Sequence, residues 1–264
     1  MGRRREAAAT QRRRAGSGTR PPSPAVRRLA LLPLLLAACT DAPTASGSAP
    51  DPEAVRLLEG VGREAMASAF DALATTPYTA SVRVTVLDAA GDTLGTEAAT
   101  LRGEGDRVRT TDRVVTGALE GDEAPLRLRD PLTATIPEDP PYLDPAARDA
   151  YRLAVVGDTT LDGRRLRLVE ATLTDDDLTH AVRRVRAAVD PASGQAVMVE
   201  VTRAADSVIY DETSTVRVDL SRSGDVWLPR HIVTDSRTDV PFTEGRRVRT
   251  VWAVTEAGGR RLPQ

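Results

Sequence analysis

The feature that most constrains the fold is a period-two alternation of apolar and polar side chains that begins after Pro77. Val82, Val84 and Val86 alternate with polar neighbours, and similar segments, separated by turn residues, continue as far as residue 256. This pattern is typical of strands with one buried face, and short turns between them favour antiparallel neighbours. The sequence therefore predicts a meander of about ten strands that forms a curved half-barrel. The later segments are 93–102, 107–116, 151–156, 164–174, 179–190, 195–205, 207–221, 226–236 and 246–256.

One amphipathic helix is predicted before the first strand, over residues 53–74. Apolar residues recur there at helical spacing, and Glu53 and Glu59 lie near its start, where acidic side chains interact favourably with the helix dipole. Gly60 and Gly62 weaken this helix, because an exposed glycine lowers helix stability by up to about 1 kcal/mol. Helix and strands together predict an α+β fold in which the helix packs on the half-barrel.

The N-terminus has the features of a secretion signal. Two arginines precede a ten-residue apolar run, 29–38, which is too short for a bilayer, since a span takes about 20 apolar residues. The Leu-Ala-Ala-Cys sequence at 36–39 resembles the bacterial lipobox, in which the cysteine receives a diacylglycerol and the peptide is cut before it. Cys39 is the only cysteine of the chain. Residues 1–38 are therefore predicted to be a signal peptide, and Cys39 a lipidated residue that anchors the protein to a membrane.

Two details of this region concern the start and the destination of the protein. Residues 1–25 are rich in Arg, Ser and Pro, so either the signal has a long basic beginning or translation starts at Val26. Thr40 follows the cysteine. By similarity to enterobacterial sorting, where Asp at this position retains a lipoprotein at the inner membrane, Thr40 implies a periplasm-facing anchor in the outer membrane.

Two segments lack regular patterning. Residues 39–52 have no large apolar side chains after the cysteine, which predicts a flexible tether to a domain over 53–264. Residues 117–150 contain six prolines with leucines, an isoleucine and a tyrosine between them. Loops of this length are usually functional or disordered. This one is interpreted either as a lid or rim that crosses the sheet, or as a solvent loop held by a few leucines.

Composition excludes several classes of function. All 36 residues of the Lys+Arg count are Arg, and the absence of Lys excludes Schiff-base enzymes, P-loop proteins and pyridoxal-phosphate enzymes. A single cysteine excludes an intramolecular disulfide and a cysteine-based metal cluster. Nine arginines and one of the 38 acidic residues lie in 1–38, so the remainder carries a net charge of −10. That charge repels phosphate backbones and argues against nucleic-acid binding.

Few residues suggest catalysis or metal binding. His180 and His231 are both predicted on strands, and a triad of His231 with Asp235 and Ser236 is disfavoured because adjacent strand residues point to opposite faces. The acidic run 175–177 lacks the spacing of a calcium loop and is interpreted as a turn. The sequence predicts a protein that is not an enzyme and needs no cofactor or metal.

Arginines alternate with apolar residues on three predicted strands. One interpretation is an outward face on which they pair with acidic residues across strands. The other is a contact with anionic headgroups or an acidic partner. The residues concerned are Arg164, Arg165, Arg167, Arg183, Arg184, Arg186, Arg246, Arg247 and Arg249.

Several turn and strand motifs resemble the LolA/LolB-like outer-membrane lipoprotein-sorting superfamily. They are the strand and Asp-Gly-Arg hairpin at 151–164, the V-D-P-A-S-G turn at 189–194, and the G-D-V-W-L-P segment at 224–229. The resemblance covers about 53–75 and 151–256. It implies an eleven-strand half-barrel wrapped over helices, an apolar hollow that accepts acyl chains, and no cofactor. Members of that superfamily include carriers, receptors and sensors.

The resemblance leads to a hypothetical lipid-binding face. Inward apolar side chains would hold lipid or lipoprotein acyl chains, and burial of CH₂ groups would supply the affinity. The alternative is an anchored protein-interaction or sensor module with a filled core, no small ligand and another envelope protein as its partner. The predicted lining residues are Leu58, Phe70, Val82, Val84, Val86, Val199, Trp227 and Trp252.

Overall fold

The computed structural model describes residues 50–61, 63–105, 107–117, 119, 140–161, 163–174, 180–206, 210–242 and 245–262. The predicted signal peptide, Cys39 and the tether up to residue 49 lie outside the described residues. The acidic run 175–177 and residues 120–139 of the proline-rich segment also lie outside them.

Within the described residues, two short α-helices precede the sheet, where the sequence predicts one. Helix α1 spans Pro52–Glu59 and helix α2 spans Arg63–Thr75. The first begins at residue 52 because the Asp51 carboxylate accepts a hydrogen bond from the backbone N–H of Glu53 at 2.9 Å, while a proline, which has no N–H to satisfy, occupies the first helical position.

The prediction of a single helix over 53–74 is wrong, because the chain forms two helices that are separated near Gly60. The end of α1 lies so close to the turn after Val189 that a Cβ atom at Gly60 would be 2.8 Å from the carbonyl oxygen of Gly194. Tertiary packing against this turn accompanies the break, at a point where glycine had already weakened the helix.

Ten long strands of the described chain form one antiparallel sheet, in agreement with the predicted meander. Strands that are consecutive in sequence are hydrogen-bonded neighbours throughout β1–β3 and β4–β10, and β1 also pairs with β10. A two-residue strand, β11, pairs with β10 as well. The strands are β1 (Tyr78–Leu87), β2 (Thr93–Glu104), β3 (Arg107–Gly117), β4 (Tyr151–Leu161), β5 (Arg164–Leu173), β6 (Val182–Val189), β7 (Ala196–Asp206), β8 (Asp211–Ser223), β9 (Val226–Asp239), β10 (Arg246–Ala257) and β11 (Arg260–Arg261).

The strand order leaves β3 and β4 at the two edges, so the sheet is an open, curved half-barrel. Both α-helices pack on one face, which we call the helix-covered face. Helix α1 contacts β4 and β5 near one edge, and α2 contacts β9 and β2. The opposite face is called the outer face.

In the part of the chain that the structure describes, two clusters of buried apolar side chains lie on the two faces. The main cluster joins α1 and α2 to the helix-covered face and includes residues of nearly every long strand. A second, smaller cluster contains Leu166, Ala188 and Val197. Ala187 belongs to the main cluster and its neighbour Ala188 to the second, and consecutive strand residues point to opposite faces. The second cluster therefore covers part of the outer face.

Candidate functional site

The structure brings most of the predicted lining residues together on or against the helix-covered face. Leu58 and Val199 have no accessible surface, and Val82, Trp252 and Val86 retain 2%, 4% and 9%. A hollow open to solvent would leave accessible surface on the side chains that line it. In this conformation these five side chains contact protein on all sides. Whether they hold an acyl chain stays a prediction.

Strand register explains how the aromatic centre of this face is assembled. Val82 lies opposite Trp252, which in turn lies opposite Ile232 on the next strand. The Tyr78 ring meets the Trp252 indole edge-on, with a centroid separation of 6.0 Å. Burial raises the pKa of the Tyr78 hydroxyl. The indole N–H of Trp252 is buried and has no hydrogen-bond partner among the described residues.

The remaining lining residues lie at the margin of the main cluster. Phe70 of α2, Val84 of β1 and Trp227 of β9 are half-buried and pack against it. Trp227 also contacts the second cluster, and the guanidinium group of Arg164 lies 5.4 Å from the centroid of its ring.

The apolar surface of the helix-covered face continues beyond the main cluster towards β3. Val84 lies opposite Glu97, and Glu97 lies opposite Val115, in one row across β1, β2 and β3. Val84 and Val115 keep accessible surface, and Val108 on the same edge strand is 50% exposed. The apolar face therefore has an open margin at β1–β3.

A buried carboxylate interrupts this margin. Glu97 is only 6% exposed, and its Oε1 accepts a hydrogen bond of 2.6 Å from Nε of Arg113 on the edge strand. An acidic residue at a core-facing strand position is compensated by a charged neighbour. The sequence does not predict this pair, because the alternation around Glu97 contains no signal for its cross-strand partner.

The proline-rich segment contributes to the main cluster. Because β3 and β4 are opposite edges of the sheet, the chain between them connects the two edges. Tyr142 in this segment has no accessible surface, and its ring meets that of Tyr151 edge-on at 6.2 Å. Burial raises the pKa of the Tyr142 hydroxyl, which has no hydrogen-bond partner within the described chain. The end of this segment is thus packed into the core, while the predicted lid over 120–139 lies outside the described residues.

Most arginines of the strand β5 region are paired with acidic residues, as in the first interpretation of the sequence. Arg165 and Arg167 pair with Asp158 at 2.5 and 2.9 Å. Hydrogen bonds from these two arginines lower the pKa of Asp158. Arg167 also pairs with Glu53 of α1 at 3.2 Å, which ties the helix to the sheet.

A second set of pairs lies on the outer face. Partial burial raises the pKa of Glu170, but hydrogen bonds from Thr172 and Arg184 outweigh this effect and the net pKa is lowered. The Arg184–Glu170 contact measures 2.6 Å. Arg164 pairs with Asp190 at the start of the β6–β7 turn. These arginines fix strand against strand and are occupied by their acidic partners.

The outer face also carries a polar cleft of about 960 Å³, bounded by the turn between β1 and β2 and by strands β7 to β10. Charged and hydroxyl side chains line most of it. His231 lies there, 3.6 Å from Asp219. The principal lining residues are Asp88, Glu200, Thr213, Thr215, Arg217, Asp219, His231, Asp235, Arg237, Arg246, Arg247 and Arg249.

Of the candidate catalytic residues, His231 and Asp235 both line the polar cleft, whereas His180 lies elsewhere. His231 is on β9, but His180 precedes β6, where its ring lies 5.8 Å from that of Tyr151. Within the described residues, no three His, Cys, Asp or Glu side chains are grouped to hold a metal ion. None of the helices in this part of the chain has the length and apolarity needed to cross a membrane.

Comparisons with known proteins find similarity at the level of structure. No protein-family model matches the chain, and no curated protein matches its sequence. Among solved structures, a LolA superfamily protein from Nitrosomonas europaea is 12% identical, with a TM-score of 0.28, over 76% of this chain and 94% of that chain. A domain described as an outer membrane lipoprotein-sorting protein, from Vibrio parahaemolyticus, is 13% identical, with a TM-score of 0.28, over 75% and 91%.

MucB from Pseudomonas aeruginosa, solved in complex with MucA, is 13% identical over 73% of this chain and 93% of that chain, with a TM-score of 0.21. At these identities and TM-scores, what these proteins bind says nothing about the present chain. These likenesses concern the fold alone.

Proposed function

We propose that the chain is a non-catalytic lipoprotein of the bacterial cell envelope that binds acyl chains on the helix-covered face of its half-barrel. The observation that supports this most is the open margin at β1–β3. There the apolar face extends past the main cluster, and Val84, Val108 and Val115 keep accessible surface. An acyl chain that entered at this margin would bury CH₂ groups against valine side chains, at about 0.8 kcal/mol for each group.

The ligand would have to displace part of what now fills the face. The helices that cover it are short, with eight and 13 residues, and isolated helices of such length are marginal without packing. Phe70 of α2 is half-buried beside the main cluster. Movement of α2 away from the sheet would join the open margin to the apolar side chains beneath the helix, and α2 would then regulate access.

Native mass spectrometry of the full chain with Cys39→Ala, which carries no covalent lipid and is purified without detergent from a lipid-containing host, tests the proposal. We expect a phospholipid or fatty acid to co-purify, and Val84→Asp to abolish its binding while the domain stays folded, because Val84 is only half-buried. Val114→Asp is the matched control: Val114 is 60% exposed and points to the outer face of β3. Lipid retained by Val84→Asp, or lost equally from both variants, would contradict the assignment of the site.

A second candidate function is an anchored docking module for another envelope protein. The burial of Leu58 and Val199, which have no accessible surface, favours this candidate because it describes a filled core. A native mass that shows no bound lipid, and that stays unchanged after incubation with phospholipid vesicles, would support the docking module and exclude the acyl-binding proposal.

We further propose that Cys39 anchors the protein through a diacylglycerol, with the outer membrane as its destination. Two or more acyl chains give lasting attachment, whereas one chain binds only marginally. The mass of the mature protein should exceed that of the polypeptide from residue 39 by at least a diacylglycerol. Cys39→Ala should lack this increment and leave the membrane fraction. A wild-type protein without added lipid mass would exclude the anchor.

A further inference from the structure

The polar cleft on the outer face lies on the opposite side of the sheet from the proposed acyl site, and that proposal does not use it. Its acidic side chains are largely occupied within the protein. Asp235 receives two hydrogen bonds from Arg247, at 2.6 and 2.5 Å. Asp219 pairs with Arg217 at 3.0 Å. These two carboxylates are neutralised in place and do not oppose a second anion as free charges would.

Of the other two carboxylates of the cleft, that of Asp88 is hydrogen-bonded within its own turn, and that of Glu200 is far from Arg249. Asp88 accepts hydrogen bonds of 2.9 Å from the backbone N–H groups of Ala90 and Asp92, which close the turn between β1 and β2. Glu200 lies on β7, three strands away from Arg249 on β10. At the usual strand spacing this corresponds to about 14 Å.

Arg249 is an arginine of the cleft that has no counterion within the described part of the chain. Arg249 lies directly opposite Asp235 in the β9–β10 register, but Asp235 is bound to Arg247 instead. Arg246, the first residue of β10, borders the cleft, but strand alternation places its side chain on the same face as Trp252, the helix-covered face. Among the described residues, the side chain of Arg249 has no ion-pair or hydrogen-bond partner. A guanidinium group is always charged and presents its N–H donors in a planar fork that suits phosphate oxygens.

We propose that this cleft binds a phosphate group, and that Arg249 supplies the charged donors. The hydroxyl groups of Thr213 and Thr215 line the same cleft and are further donors to oxygen. A volume of about 960 Å³ exceeds that of a phosphate ion and leaves space for the molecule that carries it. That molecule is either a phospholipid headgroup or a soluble phosphate, since both present the same oxyanion.

Two binding measurements on the full chain test this inference, with Cys39→Ala throughout so that a lipid anchor contributes nothing. Calorimetry measures the binding of inorganic phosphate and pyrophosphate. Co-sedimentation measures binding to phosphatidylcholine vesicles with and without phosphatidylglycerol. We expect Arg249→Gln to weaken binding about tenfold or more, the loss typical of one charge-assisted hydrogen bond. Arg152→Gln is the control, because this exposed arginine of β4 also has no partner among the described residues.

Each outcome of these two measurements either supports or overturns the proposed phosphate site. Binding of inorganic phosphate that is lost in Arg249→Gln and retained in Arg152→Gln supports the site and indicates a soluble source. The same pattern seen only with phosphatidylglycerol vesicles supports it and indicates a lipid headgroup. If the protein binds neither probe, or if Arg249→Gln binds as tightly as the control, the inference is overturned. These readouts do not depend on acyl-chain binding, so the two proposals can fail separately.

Discussion

At the scale of single residues, the carboxylate of Asp190 connects the turn between β6 and β7 to strand β5. One of its carboxylate oxygens accepts a hydrogen bond of 3.0 Å from the backbone N–H of Ala192, which holds the turn between β6 and β7. The carboxylate also pairs with Arg164 of β5, whose guanidinium group lies against the ring of Trp227. The hydrogen bond from Ala192, together with Arg164, lowers the pKa of Asp190 below its ordinary value of 3.8.

The lowered pKa predicts a dependence of stability on pH. Since the folded state favours ionised Asp190, its contribution is present above about pH 4 and is lost as the pH falls through the lowered pKa of the folded state. Asp190→Asn keeps a side-chain acceptor for Ala192 but removes the charge. We expect this variant to be less stable than wild type at pH 7, with the difference shrinking towards pH 3, as measured by urea denaturation.

Asp149→Asn serves as the control for this measurement, because Asp149 is exposed and has no side-chain partner among the described residues. Its stability difference from wild type should stay near zero at both pH values. A constant difference for Asp190→Asn at pH 7 and pH 3 would show that the charge of Asp190 does not stabilise the fold.

At the scale of elements, the contact between the end of α1 and the β6–β7 turn positions the helices on the sheet. Gly60 has an ordinary helical φ of −71°, so alanine suits its backbone conformation. The restriction is steric: a Cβ atom there would lie 2.8 Å from the carbonyl oxygen of Gly194, which is backbone and cannot rotate away.

Gly60→Ala should therefore destabilise the protein although alanine has the higher helix propensity. The gain in propensity is about 1 kcal/mol, whereas overpacking at a rigid contact typically costs about 1–3 kcal/mol. Urea denaturation should show a net loss of stability, and Glu59→Ala, at the exposed neighbouring position, should change the free energy of unfolding by less than about 0.5 kcal/mol. A stabilised Gly60→Ala variant would mean that the turn yields to the helix.

At the scale of the whole molecule, one main cluster connects both helices to the sheet, and Trp227 joins it to the second cluster. A shared core of this kind favours cooperative unfolding, because the strands of the described sheet share their apolar contacts. The two tryptophans of the chain report on different places: Trp252 lies within the main cluster and Trp227 at the junction.

We expect one unfolding transition for both clusters. In Trp252→Phe the fluorescence reports on Trp227, and in Trp227→Phe it reports on Trp252. For each variant, the denaturant midpoint from fluorescence should coincide with the midpoint from far-ultraviolet circular dichroism. A fluorescence midpoint in Trp252→Phe that precedes the loss of strand signal would show that the second cluster unfolds on its own.

Residues close together in the sequence determined most strands and turns of this protein. Alternation such as that of Val82, Val84 and Val86 specifies a strand because strand side chains have a period of two, and Gly194 ends a hairpin turn with a positive φ of 71°. The meander and the apolar set on one face result from such short-range signals. The secretion and lipidation signals around Cys39 are equally local, and they stay predictions.

Only the tertiary structure decided which side chains meet. The end of α1 at Gly60 contacts Gly194, far away in sequence, and buried Glu97 is paired with Arg113 of another strand. Three arginines of β10 cannot be told apart in the sequence. In the structure Asp235 pairs with Arg247, although Arg249 lies opposite Asp235 in the register, and Arg249 has no counterion among the described residues. A period of two specifies the face of a side chain but not its cross-strand neighbour. Whether a face is filled or open, and an arginine paired or free, is therefore decided by long-range packing.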